Sequence, residues 1–519
     1  MKIALIAPPY PLEEAPSPPL GICMAASACE AAGAETKIID YIVGQYTPEK
    51  LSHTLSEFKP DIVGATSVTL NFPAAAKIIR TVKEYDPSII TMMGGPHVSF
   101  DAENTLRSSP HIDLIVAGEA EATLLKWIPR AHNKSLWHEI KGLAFMDQDR
   151  FIQTGPAEFI RDIDALPLPS RRLLPLSKYK ALGFPISIIT SRGCPNQCIF
   201  CLGRKMVGFK VRYRSAEKVA DEIEALMALG FTNINIADDL FTANKKRVKT
   251  LCDHLIKRGL SFTWSAFARV DTVDEETLLL MKQAGCLAVS FGIESGNPKM
   301  LKHVKKGVTV DQARRAAALC KKVGMRAHAS FIVGLPGETE ETLADTFFLA
   351  RELGMEYGFH FLAPFPGTTV REEIDKYDLE ILTNDWSRYD ANSAIVRTSA
   401  LAPARIEELV ADQYKPIAKA WEEKKKRVAE NKASDYERLE IESADRLSLI
   451  FSILSNDLIE DYGKLPVVQK ESPMDVLSRM VAEKTGFETG FVRRYIKLWQ
   501  DSGYLGLMKK DGMIKWEWT

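Results

Sequence analysis

A chain of 519 residues is too long to close around one hydrophobic core, so roughly two to four domains are expected. Hydrophobic residues make up 46% and charged residues 26%, the balance of an ordinary globular protein, and a net charge of −1 excludes a global field that would gather nucleic acid or anionic membrane. No apolar run nears the roughly 20 residues that span a bilayer. The opening MKIALIAPPYPL has one lysine and a short apolar run ending in prolines, so it reads as a buried first strand, not a secretion signal, and a cytoplasmic location is expected.

Residues 1–135 alternate short β-branched runs with helical spacing. KIALIAPP, TKIIDYI, DIVGATSV, SIITMMGGPH and DLIVAGEAE are the strand candidates, with helical stretches such as PLGICMAASACEAAG and NFPAAAKIIRTVKEYDP between them. This rhythm predicts an α/β, doubly wound, Rossmann-like parallel sheet, whose ligands bind at the carboxyl ends of the strands. Those ends are Ala7–Pro9, Thr66–Thr69, Gly94–His97 and Gly118–Glu121. Residues 136–185, with the proline-punctuated DIDALPLPSRRLLPL, read as a linker.

A second alternating series fills residues 186–372. ISIITSRG, NINIAD, FTWSAFAR, LAVSFGIES, AHASFIVGLP and YGFHFLAPFP give six strand–helix units, enough for a partial (β/α)6 barrel and too few for an eight-stranded one. The rhythm stops there. Residues 373–439 read as a helical extension, and residues 440–519 as a small, mainly helical module whose helix, helix and hairpin suggest a winged helix, with KKDG as the hairpin turn. Arg493, Arg494, Lys497, Lys509 and Lys510 give this module some basic character. Asp501, Asp511 and Glu517 are interspersed among them, so nucleic acid is not the expected partner.

Five of the eight cysteines, Cys23, Cys29, Cys252, Cys286 and Cys320, are scattered through apolar stretches and read as core. The other three stand within eight residues. SRGCPNQCIFCLGR places Cys194, Cys198 and Cys201 in a C-x3-C-x2-C loop after a strand, where thiolates suit an iron–sulfur cluster. Three ligands leave one iron of a [4Fe–4S] cubane open. A structural zinc site is the rival reading, but it wants four ligands, and no fourth Cys or His stands nearby.

At these residues the chain resembles the radical S-adenosylmethionine (SAM) superfamily, with Phe200 as its aromatic before the last cysteine. The resemblance extends to four further segments. These are Asp238-Asp239 before Phe241-Thr242, SAFARVD at Ser265–Asp271, Gly292-Ile293-Glu294-Ser295-Gly296, and FIVGLPGET at Phe331–Thr339. It implies that the open iron binds SAM and that SAM is cleaved reductively to a 5′-deoxyadenosyl radical. Phe200, Asp238, Arg269, Glu294, Ser295, Gly334, Pro336, Gly337 and Glu338 would then be SAM contacts, Arg269 toward the carboxylate. Taken singly, the aspartates could be helix caps and the glycines plain turn residues.

The first domain resembles the cobalamin-binding domain joined to one large radical SAM class. The matching residues are Pro8-Pro9, Pro19-Leu20-Gly21, Asp40, DIVGATSV, Gly94-Gly95-Pro96-His97 and Gly118–Thr123, so that the likeness covers about residues 1–420. It implies cobalamin contacts at Pro8, Thr66, Ser67, Thr69, Leu70, Asn71, Gly94, Gly95, Pro96, His97, Gly118 and Glu119, with the loop Leu70-Asn71-Phe72 toward the cobalt. The D-x-H-x-x-G motif that supplies an axial histidine elsewhere is absent. His97 is therefore read as a helix or loop cap. A dinucleotide site would need G-x-G-x-x-G in the first turn, which is also missing.

Together these likenesses imply a cobalamin-dependent radical SAM C-methyltransferase acting on an unactivated carbon. A ring cyclase without methyl transfer and a cobalamin-sensing regulator are the alternatives. A flavodoxin or ferredoxin would supply electrons, and the substrate could be a small molecule, peptide or protein.

Overall fold

The computed structural model describes residues 1–12, 17–466, 471–510 and 512–519. Its first layer is a seven-stranded sheet of β1 (Lys2–Ala7), β2 (Glu35–Asp40), β3 (Ile62–Thr66), β4 (Ile90–Gly94), β5 (Leu114–Val116), β6 (Leu143–Asp147) and β7 (Arg150–Gln153), in the order β2-β1-β3-β4-β5-β6-β7. The first five run parallel. Ile3 to Ala7 are all buried because helices cover both faces, which is why the strand is apolar throughout and not alternating.

The sheet does not end where the sequence suggested. β6 and β7 lie within the residues expected to be linker and extend the sheet as an antiparallel hairpin. Their outer edge is half-exposed, and the polar turn at Gln148 (φ +53°) hides the pairing from a hydrophobic pattern.

Strands β8 (Ile186–Ile188), β11 (Asn233–Ile236), β12 (Thr263–Ala268), β13 (Cys286–Glu294), β14 (Arg326–Val333) and β15 (Glu356–Phe361) form a six-stranded parallel sheet in the order β15-β14-β13-β12-β11-β8. This is the expected open (β/α)6 barrel. Its helices Ala216–Ala228, Lys245–Lys257, Glu275–Gln283, Val310–Val323 and Glu340–Glu352 each begin on a side-chain cap, from Ser215, Asn244, Asp274, Thr309 and Thr339. Between β8 and β11, an antiparallel pair, β9 (Ser191–Arg192) and β10 (Arg212–Tyr213), brackets the cysteine loop.

After the barrel comes a short antiparallel pair, β16 (Glu380–Ile381) and β17 (Val396–Arg397), so the extension is helical only from Pro403. Helices Pro403–Ala429 and Asp435–Ser455 form a hairpin, and the boundary expected at residue 440 falls inside the second helix. The C-terminal module holds helices Pro473–Thr485 and Thr489–Asp501 with β18 (Lys464–Pro466), β19 (Leu505–Lys510) and β20 (Met513–Trp518), paired in the order β18-β20-β19. The sequence reading missed β18, which is three residues long. The KKDG turn includes Asp511, outside the described residues.

Candidate cofactor site

Geometry forces the cysteine loop into shape. Gly193 sits at φ +113°, and a Cβ there would lie 2.4 Å from Lys210 O, so only glycine fits. The loop is then held from three sides: Cys194 N–H donates to Gly208 O (3.0 Å), Ile199 N–H to Val304 O (3.2 Å), and Val370 N–H to Ile199 O (2.9 Å). Ile199 is fully buried among Met300, Val304 and Leu335, with Phe200 packed alongside. Two N–H groups already face sulfur, Asn196 Nδ2 to Cys194 Sγ and Gly203 N to Cys201 Sγ, both at 3.3 Å. Burial pushes the Cys201 thiol up to about 11 and raises that of Cys198, which Lys306 partly offsets.

This donor set fits a cluster. Among the described residues no three His, Cys, Asp or Glu side chains close on a single ion. A cubane makes no such demand, because each thiolate takes a different iron.

Around the loop, the expected SAM residues divide. Asp238 is buried and accepts from Thr190 N, Thr190 Oγ1 and Ser191 Oγ, all at 2.6 Å. That saturated carboxylate is a strap between β8, β9 and β11, which corrects its expected role. Its neighbour Asp239 lines the adjoining cavity and lies beside Gly203, and burial raises its carboxyl. Arg269 makes four hydrogen bonds, two to Asp271 and one each to Lys306 O and Gly307 O. One N–H is left, too few for the two-pronged carboxylate grip expected of it.

Glu294 (φ +74°) forms a buried ion pair with Lys306 at 2.6 Å, laid over Gly292, where a Cβ would lie 2.5 Å from Glu294 Oε1. Sequence reasoning missed Lys306. A lysine amid a lysine-rich stretch gives no signal of its own. Ser295 is buried against Thr346 Oγ1 (3.1 Å) and faces inward, again a correction. Gly334 (φ +81°) and Gly337 (φ +72°) flank Pro336 in a turn closed by Glu338, whose Oε2 accepts from Gly334 N (2.6 Å) and Leu335 N (3.3 Å). Glu338 is fully buried, its Oε1 has no partner, and burial pushes its pKa up to about 8. It holds its own turn together, so a direct SAM contact is not its role in this geometry.

At the carboxyl ends of β3, β4 and β5 lies a cavity of about 340 Å³. Ile22, Met24, Met92, Met93, Val116 and Leu124 make it apolar, and Thr66, Gly94, Gly95, Pro96, Gly118 and Glu119 from the expected set line it. Gly21 also lines it, and a Cβ there would meet nothing within 4 Å, as in a cradle left open for a ligand. The opposite wall is barrel: Ile189, Ser191, Arg192, Met206, Val207, Ala237 and Asp239.

Pro8, Ser67, Thr69, Leu70, Asn71 and His97 lie off this cavity wall. Asn71 Oδ1 accepts from Val68 N (3.0 Å), and Phe72 stacks on His97 with ring centroids 4.2 Å apart. His97 also meets Trp386 edge-on at 5.0 Å, and burial holds its imidazole near pKa 4. It packs between Phe72 and Trp386, with Nδ1 3.4 Å from Thr69 Oγ1. The loop after β3 is thereby turned toward Trp386. Glu119 reaches across to the half-buried Arg212 and to Arg192, and Glu121 to Arg192 at 2.5 Å, with Arg192 and both glutamates buried. The Gly118–Glu121 turn thus ties the first domain to the strand that leads into the cysteine loop.

Fold and site together define a radical SAM protein that carries a corrinoid-type domain, and the comparisons agree. The family model described as "B12 binding domain" matches residues 14–126, and "Radical SAM superfamily" matches residues 188–350. An uncharacterized methyltransferase, PH0819, of Pyrococcus horikoshii is 34% identical over 80% of this chain and 92% of its own. An anaerobic magnesium-protoporphyrin IX monomethyl ester cyclase of Cereibacter sphaeroides is 31% identical over 77% of this chain and 66% of its own. In fold, the chain is similar to the cobalamin-dependent SAM radical enzyme OxsB solved with aqua-cobalamin and SAM bound, with TM-score 0.70 and 18% identity over 96% of this chain and 84% of that one. The chain belongs to the cobalamin-dependent radical SAM methyltransferase family. It is an enzyme, and its cofactors are a [4Fe–4S] cluster, SAM and cobalamin.

Proposed function

We propose that this enzyme moves a methyl group from SAM to an unactivated carbon of its substrate, with Cys194, Cys198 and Cys201 as the cluster ligands. When bound, the cluster offers an open iron and an electron to SAM, and cobalamin offers a methyl carrier. The protein's part is to hold, orient and keep dry. Asn196 and Gly203 direct N–H groups at the sulfurs. Asp239 and the Glu294–Lys306 pair stand as the polar groups that orient SAM, with the Gly334–Gly337 turn as a backbone wall. The apolar cavity over β3, β4 and β5 takes the corrinoid's tail, and its methionine and aliphatic lining excludes water from radical chemistry.

One observation carries this reading: a single cavity has the first domain's strand ends as one wall and the residues flanking the cysteine loop as the other. The methyltransferase relative favours methyl transfer, and the cyclase relative supports ring closure as a second reading. Eight free thiols suit a reducing, cytoplasmic setting. No helix among the described residues is long and apolar enough to cross a membrane. The regulator reading has little support, because Arg493, Arg494 and Lys497 are spent on Asp475, Glu442 and Asp501.

The test uses SAM carrying an isotopically labelled methyl group, given to the reconstituted enzyme with extracts of candidate metabolites. Label on carbon in a product heavier by one methylene is the expected result. A product of unchanged carbon count, formed alongside 5′-deoxyadenosine, would replace methyl transfer with cyclisation or rearrangement.

A further inference from the structure

Between the first domain and the segment after the barrel lies a second cleft, of about 870 Å³. Its walls are continuous with both cofactor loops. Phe72, on one wall, opens the helix that follows β3. Arg371, on the other, follows Val370, whose N–H donates to Ile199 O in the cysteine loop (2.9 Å). Phe72, Phe100, Pro366 and Trp386 supply the apolar surface, three of them with aromatic rings.

Arg371 is half-buried and held by its surroundings on one edge only. Its guanidinium carbon lies 4.8 Å from the ring centre of Trp386, and Nη1 donates to Pro364 O and Tyr389 OH, each at 3.0 Å. These contacts fix the plane of the group. Nε and Nη2 have no hydrogen-bond partner among the described residues, and Arg371 forms no ion pair there. Those two N–H groups make the edge that grips a carboxylate in two parallel hydrogen bonds.

The other charges of the cleft are engaged. Arg107 pairs with Glu103 (2.8 Å), Asp101 accepts from Asn104 Nδ2 (2.8 Å), and Glu372 Oε1 accepts from Gly367 N–H (3.0 Å). One free cation in a cleft that also holds two carboxylates suits a singly charged ligand, and repels a dianion such as a phosphate monoester.

We propose that the methyl acceptor binds in this cleft and is a flat, ring-bearing carboxylic acid. Its rings lie against Phe72, Phe100 and Trp386, and its carboxylate accepts from Arg371 Nε and Nη2. Arg371 then sets specificity, because a neutral ester of the same acid cannot pair both N–H groups with an anionic oxygen. The acceptor's identity as such rests on the methyl-transfer reading; the acid-binding site stands or falls by binding alone.

The experiment uses the enzyme loaded with cluster and cobalamin, titrated by isothermal calorimetry with 1-pyrenebutyrate and, separately, with its methyl ester. The acid should bind at least about tenfold more tightly, as expected for hydrogen bonds to a charged group. Arg371→Lys keeps the charge and loses the fork, so it should close most of that gap and leave ester binding as in wild type. Because Arg371 also holds Pro364 and Tyr389, a second variant guards against misfolding. Asn384 is exposed and lines the same cleft, and Asn384→Asp should weaken the acid severalfold with the ester and the melting temperature unchanged. Equal affinity for acid and ester, or unchanged acid affinity in both variants, would overturn the site. Acid binding as predicted, with no labelled methyl from SAM appearing on any ring-bearing acid, would leave the site and overturn its assignment to the methyl acceptor.

Discussion

Glu338 shows how a motif residue can be legible in sequence and misassigned in role. The segment FIVGLPGET marks a strand end and a turn, and both are present. What the letters do not show is that the carboxyl folds back onto Gly334 and Leu335 N–H with Oε1 buried and unpartnered. Burial pushes its pKa up to about 8, above the ordinary carboxyl value near 4.5. The native state therefore binds this proton more tightly than the unfolded chain does. That contribution to stability is complete below about pH 4.5 and is lost as pH rises through 8. Glu338→Gln keeps the acceptor and removes the titration, so its melting temperature should vary less than wild type between pH 5 and 9. Identical pH profiles in calorimetry would refute this account of Glu338.

Side chains at the strand ends taught the same lesson. Cys194, Cys198 and Cys201 stand out because three thiols fall within eight residues of a chain whose other cysteines are scattered. Asp238 and Ser295 do not, because an inward-facing and an outward-facing polar residue look alike in sequence until hydrogen bonds to Thr190, Ser191 and Thr346 are seen. Lys306 was missed for the converse reason: its exposed neighbours Lys302 and Lys305 disguise a buried ion pair.

Among elements, the alternating strands and helices were easy to read because parallel strands buried on both faces are continuous apolar runs. Six barrel strands and five parallel strands of the first sheet lie where the pattern put them. The hairpin β6–β7 and the three-residue β18 escaped, being respectively a half-exposed edge and too short to show a period. How one element is fixed against another was invisible, since it depends on pairs far apart in sequence. The turn after β5 meets the strand before the cysteine loop through Glu121 and Arg192, with side chains 8% and 7% exposed. Removing Glu121 takes away the nearest partner of Arg192 and leaves Glu119 at 3.6 Å, so the cost is that of a lost charged hydrogen bond, about 1.5–3 kcal/mol. Glu121→Ala should therefore lower the urea midpoint markedly and loosen retention of both cluster and corrinoid. A loss of stability under about 1 kcal/mol, a typical value for exposed pairs, would show that the pair is not the tie proposed here.

For the whole molecule, a polar knot at Asp457 joins three parts of the chain. Lys50 of the first domain lies 2.6 Å from Asp457, and Lys178, before the barrel, lies 3.7 Å from it. Lys178 also pairs with Glu460 (2.6 Å) and donates to Val43 O (2.9 Å), while Tyr179 OH donates to Asp40 Oδ2 (2.6 Å). The C-terminal module is thus keyed to the first domain and does not dangle from the barrel. Asp457 is left-handed (φ +48°), a conformation asparagine tolerates, so Asp457→Asn removes charge without straining the backbone. It should lower stability by about 1–3 kcal/mol with iron content unchanged. A melting temperature equal to wild type would dissolve the knot as a stabilising feature.

The account as a whole depends on three thiolates that leave one iron free for SAM. The most direct measurement is electron paramagnetic resonance of the anaerobically reconstituted, reduced protein, recorded before and after SAM is added. The predicted result is a [4Fe–4S]+ signal that changes shape on addition of SAM and is absent when Cys194, Cys198 and Cys201 are all alanine. A signal indifferent to SAM, or zinc in place of iron at those cysteines, would contradict it.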